Sequence, residues 1–138
     1  MNIYLIGSLR NPRIPIIAQR LRDHGFDVFD DWYAAGERAD DAWKEYEQAR
    51  GHTFIQALQG FAAQHVYLYD WSHLIAADTA ILVTPAGKSG HLELGYALGQ
   101  GKRGYILLDE PVDRFDVMYA FANGVYSSLD ELIDALRK

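Results

Sequence analysis

Apolar residues follow two rhythms along the chain. Short continuous runs at Ile3 to Ile6, Phe26 to Phe29, Thr79 to Thr84 and Tyr105 to Leu108 read as strands buried on both faces. Between them, apolar positions recur at helical spacing: Ile14, Ile17, Ala18 and Leu21, then Phe54, Leu58, Phe61 and Ala62, and at the end Leu129, Leu132, Ile133 and Leu136. The punctuation agrees with this division. Gly7-Ser8 supplies a tight turn after the first run, Pro12 and Pro15 sit where a first helical turn tolerates proline, and His24-Gly25 supplies a stop. The second run ends at Asp30-Asp31-Trp32, and a polar stretch with Trp43 and Tyr46 on one side follows, broken at Gly51. The β-branched run Thr79 to Thr84 closes on Pro85-Ala86-Gly87, and Leu92 to Gly99 predicts a helix. Ser128 with Glu131 three residues later predicts a capping box before the last helix. Strands alternating with helices predict a parallel sheet covered on both faces. Ligands of such sheets lie beyond the carboxyl ends of the strands, so the loops after Ile6, Phe29 and Thr84 are where a site is expected.

Composition narrows the chemistry. A chain of 138 residues that is 49% hydrophobic fits one domain spanning residues 1–138, with no linker, repeat or low-complexity tract. Thirteen Lys and Arg against 19 Asp and Glu give a net charge of −6, which argues against a DNA or RNA polymer as partner. A small anionic ligand needs only a few local donors and stays open. With no Cys, disulfides, thiolate metal sites and a Cys nucleophile are excluded. His24, His52, His65, His73 and His91 show no metal-ligand spacing, so no metal site is expected. No apolar run approaches the roughly 20 residues of a membrane span, and Met1-Asn2-Ile3-Tyr4 lacks the basic segment of a signal peptide. The expectation is a soluble, cytoplasmic protein with no membrane partner.

The segment from Pro85 to Tyr96 carries the most chemistry. Gly87, Lys88 and Ser89 precede a helix whose N-terminus offers free N–H groups and positive potential. A P-loop is rejected, because the glycine it needs five residues before Gly87 is Leu82, inside a strand. Glu93 falls about one turn after Ser89, where the helix dipole favours an ionised carboxylate, the form a nucleophile or base requires. The same placement also suits a Glu that merely complements the dipole, with Ser89 as N-cap. Asp70 reads as the N-cap of a short helix and Asp78 as the residue that turns this helix into the next strand. Two carboxylates converging on one cleft are the minimum equipment for glycosidic chemistry. Gly7-Ser8-Leu9-Arg10 can present backbone N–H groups and a guanidinium to an anion, and a solvated Arg10 is the equal alternative. Asp31 and Trp32, in the loop after the second strand, are further candidates for substrate binding. Trp32, Tyr33, Trp43 and Tyr46 suit stacking on a base as well as core packing.

These residues together resemble the nucleoside 2-deoxyribosyltransferase family, which includes the 2′-deoxynucleoside 5′-monophosphate N-hydrolases. The resemblance rests on Ile3-Tyr4-Leu5-Ile6-Gly7-Ser8, on Asp70 and Asp78, and on Glu93-Leu94-Gly95-Tyr96-Ala97, so it covers nearly the whole chain. It implies a flavodoxin/Rossmann-like three-layer α/β sandwich with a parallel central sheet of about five strands. It implies Glu93 as nucleophile, Asp70 as the residue that orients it and serves proton transfer at the base, and Tyr4 close to the nucleophile. Asp116-Val117-Met118 looks like the segment that reaches a neighbouring subunit's site, which implies a homo-oligomer with a shared active site. No cofactor is implied. Transferases of free nucleosides usually carry an acidic residue six positions before the nucleophile, where this chain has Gly87. Arg10 and Ser89, with Lys88 beside them, match the monophosphate hydrolases and tilt the substrate towards a 5′-phosphorylated nucleoside. The aromatic-rich stretch Asp30 to Gln64 is longer than in the short hydrolases and leaves the base open.

Two other functions stay open on the residues. The loop loosely resembles the PGGxGTxxE motif of cytokinin-activating phosphoribohydrolases, but Pro85-Ala86-Gly87 lacks its second Gly. A nucleotide-binding module without catalysis would use the same cleft and would not need an ionised Glu93.

Overall fold

The computed structural model describes residues 1–138. Five strands, β1 (Asn2–Ile6), β2 (Asp27–Phe29), β3 (Thr79–Thr84), β4 (Arg103–Leu108) and β5 (Gly124–Tyr126), form one sheet in the order β2-β1-β3-β4-β5. All four pairings are parallel, with Tyr4 beside Phe29 and Ala80, and Leu82 beside Ile106. Six helices accompany them: α1 (Ile14–Asp23), α2 (Ala39–Ala49), α3 (Phe54–Leu58), α4 (Phe61–Ala76), α5 (Lys88–Gly99) and α6 (Leu129–Leu136). The architecture is the three-layer, Rossmann-like α/β sandwich expected from the alternation of strands and helices. No helix is long and apolar enough to cross a membrane.

Strand residues alternate between the two faces. Ile3, Leu5, Ile81, Val83, Tyr105 and Leu107 meet α1 and α6 in one core cluster, through Ile14, Ile17, Ala18, Leu21, Leu132, Ile133 and Leu136. Tyr4, Ile6, Ala80, Leu82 and Ile106 face the other way and meet Leu74 of α4 and Leu94 and Ala97 of α5. Gly90 allows α5 to lie close on the sheet: a Cβ there would come within 3.0 Å of Ile6 Cγ2 and 3.1 Å of Leu82 Cδ1.

Several elements differ from the sequence reading. The fifth strand, Gly124–Tyr126, is only three residues long and too short to leave a pattern. The apolar positions from Phe54 to Ala62 belong to two helices, α3 and α4, separated at Gln59-Gly60. Thr53 and Gln56 form a full capping box for α3, whereas at α6 only half of the predicted box exists, with Ser128 Oγ accepting from Glu131 N–H at 3.1 Å. Asp70 is not an N-cap. It lies in the third turn of α4, which runs unbroken from Phe61 because Val66-Tyr67-Leu68-Tyr69 contains no residue that stops a helix. Likewise α5 begins at Lys88 with Gly87 as its N-cap, so Ser89 caps nothing and Glu93 sits in the second turn rather than the first.

Candidate active site

The chain leaves β1 towards β2 on one side and leaves β3 towards β4 on the other, so the carboxyl ends of β1 and β3 flank a switch point. A crevice opens where connections diverge in this way. Three elements contribute to it. Tyr4 comes from β1, Asp70 from the third turn of α4 and Glu93 from the second turn of α5, which follows β3 directly.

Tyr4 is buried, and its hydroxyl donates to Glu93 Oε2 at 2.6 Å. This is the only hydrogen bond from the protein to that carboxylate. Burial pushes the Glu93 carboxyl up to about 7, against the opposing hydrogen bond from Tyr4 and with a further upward push from Asp70. The second-turn position explains why the helix dipole does not hold Glu93 ionised as the sequence suggested: the dipole's effect fades beyond the first turn, and desolvation prevails. Asp70 is raised for the same leading reason, burial, partly offset by the charge of His73. Tyr4 is raised too, by burial and by the two carboxylates it faces. Tyr4, Asp70 and Glu93 therefore form one coupled group, in which ionisation of one carboxyl opposes ionisation of the other. Asp78 stands apart from it. Burial works to raise Asp78, but hydrogen bonds from Asn2 N–H and Thr79 Oγ1, with the chain's amino terminus and Lys102, hold it below the usual carboxylate range. Its role is to join the start of β1 to the start of β3.

An aromatic wall backs the carboxylates. Phe29, at the end of β2, packs against Tyr4 with ring centroids 5.2 Å apart, and His73 stacks on Phe29 at 3.9 Å. The sequence reading singled out neither residue. The available signals were the position of Phe29 at a strand's carboxyl end and the three-residue spacing of Asp70 and His73 on one helix.

Among the predicted binding residues, Trp32 is the best anchored. It lies in a 3-10 helix over Asp31–Ala35, and its Nε1–H donates to the Leu5 carbonyl at 2.7 Å. That carbonyl lies one residue beyond the end of β1–β2 pairing, so the indole satisfies a group that the sheet leaves free. Asp31 next to it is exposed and makes no side-chain hydrogen bond. In the loop after β1, Ser8 Oγ accepts from Arg10 N–H, and Asn11 is buried with its Nδ2 enclosed and unpartnered. The Arg10 guanidinium is 73% exposed and reaches Asp41 of α2 at 3.8 Å. Gly7 packs over α1, where a Cβ would meet Ile14. Gly87, Lys88 and Ser89 are exposed at the start of α5, and no hydrogen bond links them to Glu93. Asp116 caps a 3-10 helix over Val117–Phe121 through Met118 N–H, and the Met118 side chain is exposed. Within one chain this segment touches the start of α5 through His91, whose Nδ1–H donates to the Gly87 carbonyl at 2.7 Å and whose Nε2 lies 2.9 Å from Tyr119 Oη. The structure thus unites Tyr4, Asp70 and Glu93 but leaves Arg10, Lys88, Ser89, Asp116 and Met118 on the surface. No cluster of His, Asp and Glu suits a metal ion.

No protein-family model matches the chain, and comparison with curated proteins finds no match. Solved structures do resemble it over almost its entire length. A 2-deoxyribosyltransferase from Bacillus psychrosaccharolyticus superposes with a TM-score of 0.65 at 16% identity, covering 97% of this chain and 91% of that one. A CMP N-glycosidase from Clostridium botulinum gives 0.59 at 16% identity and covers 100% of both chains. A conserved protein from Enterococcus faecalis V583 gives 0.66 at 13% identity, covering 99% and 97%. At these identities the likeness is one of fold.

Proposed function

We propose that this protein cleaves the N-glycosidic bond of a nucleoside or nucleotide, and that Glu93 is the nucleophile. The observation that carries the reading is the Tyr4–Glu93 hydrogen bond of 2.6 Å, on a carboxylate coupled to Asp70 at the switch point of the sheet. The likeness in fold to a 2-deoxyribosyltransferase and a CMP N-glycosidase supports the reaction class.

The chemistry follows from the charges. Breaking an N-glycosidic bond develops positive charge at C1′, and an anion on the far face of the sugar stabilises it. Tyr4 holds Oε2 and leaves Oε1 for attack. As Oε1 bonds to C1′, the C1′–N bond breaks and its electron pair passes to the base, which takes a proton from Asp70. A glycosyl ester of Glu93 results. Water, losing its proton to Asp70, then attacks C1′ and restores the Glu93 carboxylate. A second base in place of water gives transfer instead of hydrolysis. Glu93 must be ionised to attack and Asp70 protonated to assist departure, so a pair that holds one proton reacts from the form in which that proton sits on Asp70.

Arg10, Lys88 and Ser89 are read as the groups that receive a 5′-phosphate, and Asp31, Trp32, Gly7, Ser8 and Gly87 as the lining around the nucleoside. A homo-oligomer belongs to the same reading, with Asp116 and Met118 of one chain at the site of another. The apolar residues exposed on α4, on α5 and from Phe115 to Phe121 support an association of this kind.

The test is release of free base from a panel of ribo- and deoxyribonucleosides and their 5′-monophosphates, with and without an acceptor base. Glu93→Ala is expected to lower turnover on the order of a thousandfold or more while the fold is retained. Undiminished base release by Glu93→Ala would refute the assignment. Added acceptor base that increases product formation identifies the transferase.

A further inference from the structure

Two partly buried carboxyls share this site, yet no Lys or Arg forms a salt bridge with either. The basic side chain whose charge acts on Asp70 is His73, which the chemistry above does not use. It lies one turn beyond Asp70 on α4, so the two project from the same face of the helix. Its position is fixed on three sides. Nδ1–H donates to the Tyr69 carbonyl at 2.8 Å, which fixes the orientation of the ring. The imidazole lies flat on Phe29, 12° from parallel at 3.9 Å, and Tyr69 closes the next side at 4.6 Å. Phe29 in turn packs on Tyr4, the donor to Glu93. A continuous stack of rings therefore runs from beside Asp70 to the hydroxyl that holds Glu93.

We propose that His73 is a positioning residue for the carboxylate pair, governing the proton on Asp70 through its charge and the placement of Glu93 through Phe29 and Tyr4. This rests on the reading of Asp70 as proton donor to the leaving base. The ionisable groups facing His73 are Asp70 and Tyr69 from its own helix, Tyr4 from β1 behind Phe29, and Glu93 from α5 behind Tyr4. A cationic imidazole draws Asp70 towards ionisation, and a neutral one releases it. Without a cation beside it Asp70 holds its proton more firmly, which favours the form of the pair in which Glu93 carries the charge. That form holds a charged nucleophile and a protonated acid together, the combination the reaction needs.

His73→Phe keeps a flat ring on Phe29 and removes the charge, whereas His73→Ala removes both. The direct readout is the titration of the Asp70 carboxyl by ¹³C NMR, with Asp70→Asn identifying its resonance. Removing the cation in His73→Phe is expected to move the Asp70 midpoint up by about half a pH unit or more, and the limb of the pH–rate profile that follows Asp70 moves with it. His73→Ala is expected to lower kcat about tenfold below His73→Phe, with KM changing less, because Tyr4 loses its backing. If the phenyl ring disturbs folding, His73→Gln makes the same comparison of charge. An Asp70 midpoint that stays in place in the uncharged variants overturns the proposal. A wild-type protein that cleaves none of the substrates refutes the glycosidase reading instead, and the NMR titration still decides whether His73 governs Asp70.

Discussion

The two faces of the sheet are covered in different ways. On one, α1 and α6 each bury a single stripe, Ile14, Ile17, Ala18 and Leu21 on α1 and Leu132, Ile133 and Leu136 on α6, and turn polar residues outward. Arg20 of α1 and Asp130 of α6 even pair across the solvent side at 2.6 Å. On the other face, α4 and α5 are apolar nearly all round. Leu74 and Leu94 face the sheet, but Val66, Leu68, Trp71 and Leu92 point away from it, Leu92 with 75% of its surface exposed. A helix that is apolar all round belongs in an interior, or against something. The first face is finished within one chain. The second carries the candidate site and leaves apolar side chains exposed beside it.

Breaking the finished face should cost most. Leu132 is fully buried between α6 and the sheet, and Leu132→Ala is expected to destabilise the fold by ~3 kcal/mol, read as a lower denaturant midpoint at unchanged slope. The site on the second face should show the opposite sign. The folded-state pKa of Glu93 is raised to about 7, so the protein is favoured while Glu93 is protonated and loses that contribution as pH rises through about 7. Glu93→Gln is therefore expected to stabilise the protein by ~2 kcal/mol at about pH 8 and to have no effect near pH 4. Thermal melts of both proteins across that range check it, and a stabilisation independent of pH would contradict the raised carboxyl. A smaller effect tests the cap of α6: Ser128→Ala removes the acceptor of Glu131 N–H and is expected to cost about 1 kcal/mol. Smallest for the single chain is Leu92→Ser. It is expected to change chain stability by less than about 0.5 kcal/mol, yet to lower the mass seen by light scattering if the second face joins one chain to another. A loss of stability as large as that of Leu132→Ala would mean that Leu92 serves the chain's own core.

The same contrast governs what the sequence reveals. Helices α1 and α6 are legible because each has one buried stripe, and the strands because parallel pairing buries both faces of a continuous apolar run. Helix α4 is not, since Val66-Tyr67-Leu68-Tyr69 presents no period, and Asp70 consequently reads as the start of a helix it lies within. Tyr4, Asp70 and Glu93 stand out in the sequence largely through the family resemblance, and their meeting is visible only when β1, α4 and α5 are placed together. The ionisation of Glu93 differs from what its sequence position suggests for a definite reason. Position along a helix is written in the sequence, whereas desolvation depends on what packs around it. Phe29 and His73 escaped notice because a stack across two elements has no linear spacing. The surface residues Arg10, Lys88, Ser89, Asp116 and Met118 are present where the pattern put them, on loops and helix starts, without contacts inside the chain that define a role.

The brevity of β2 and β5 has a consequence for how these molecules meet. Both edge strands are three residues long, and each pairs with its neighbour over three positions. An edge so short offers few free N–H and C=O groups on which a foreign strand could assemble, which is a common protection against fibrous aggregation. The sheet is thus closed to growth at both margins, while the helical face beside the candidate site keeps apolar side chains exposed. Strand addition is thereby a poor route for one copy of the chain to join another.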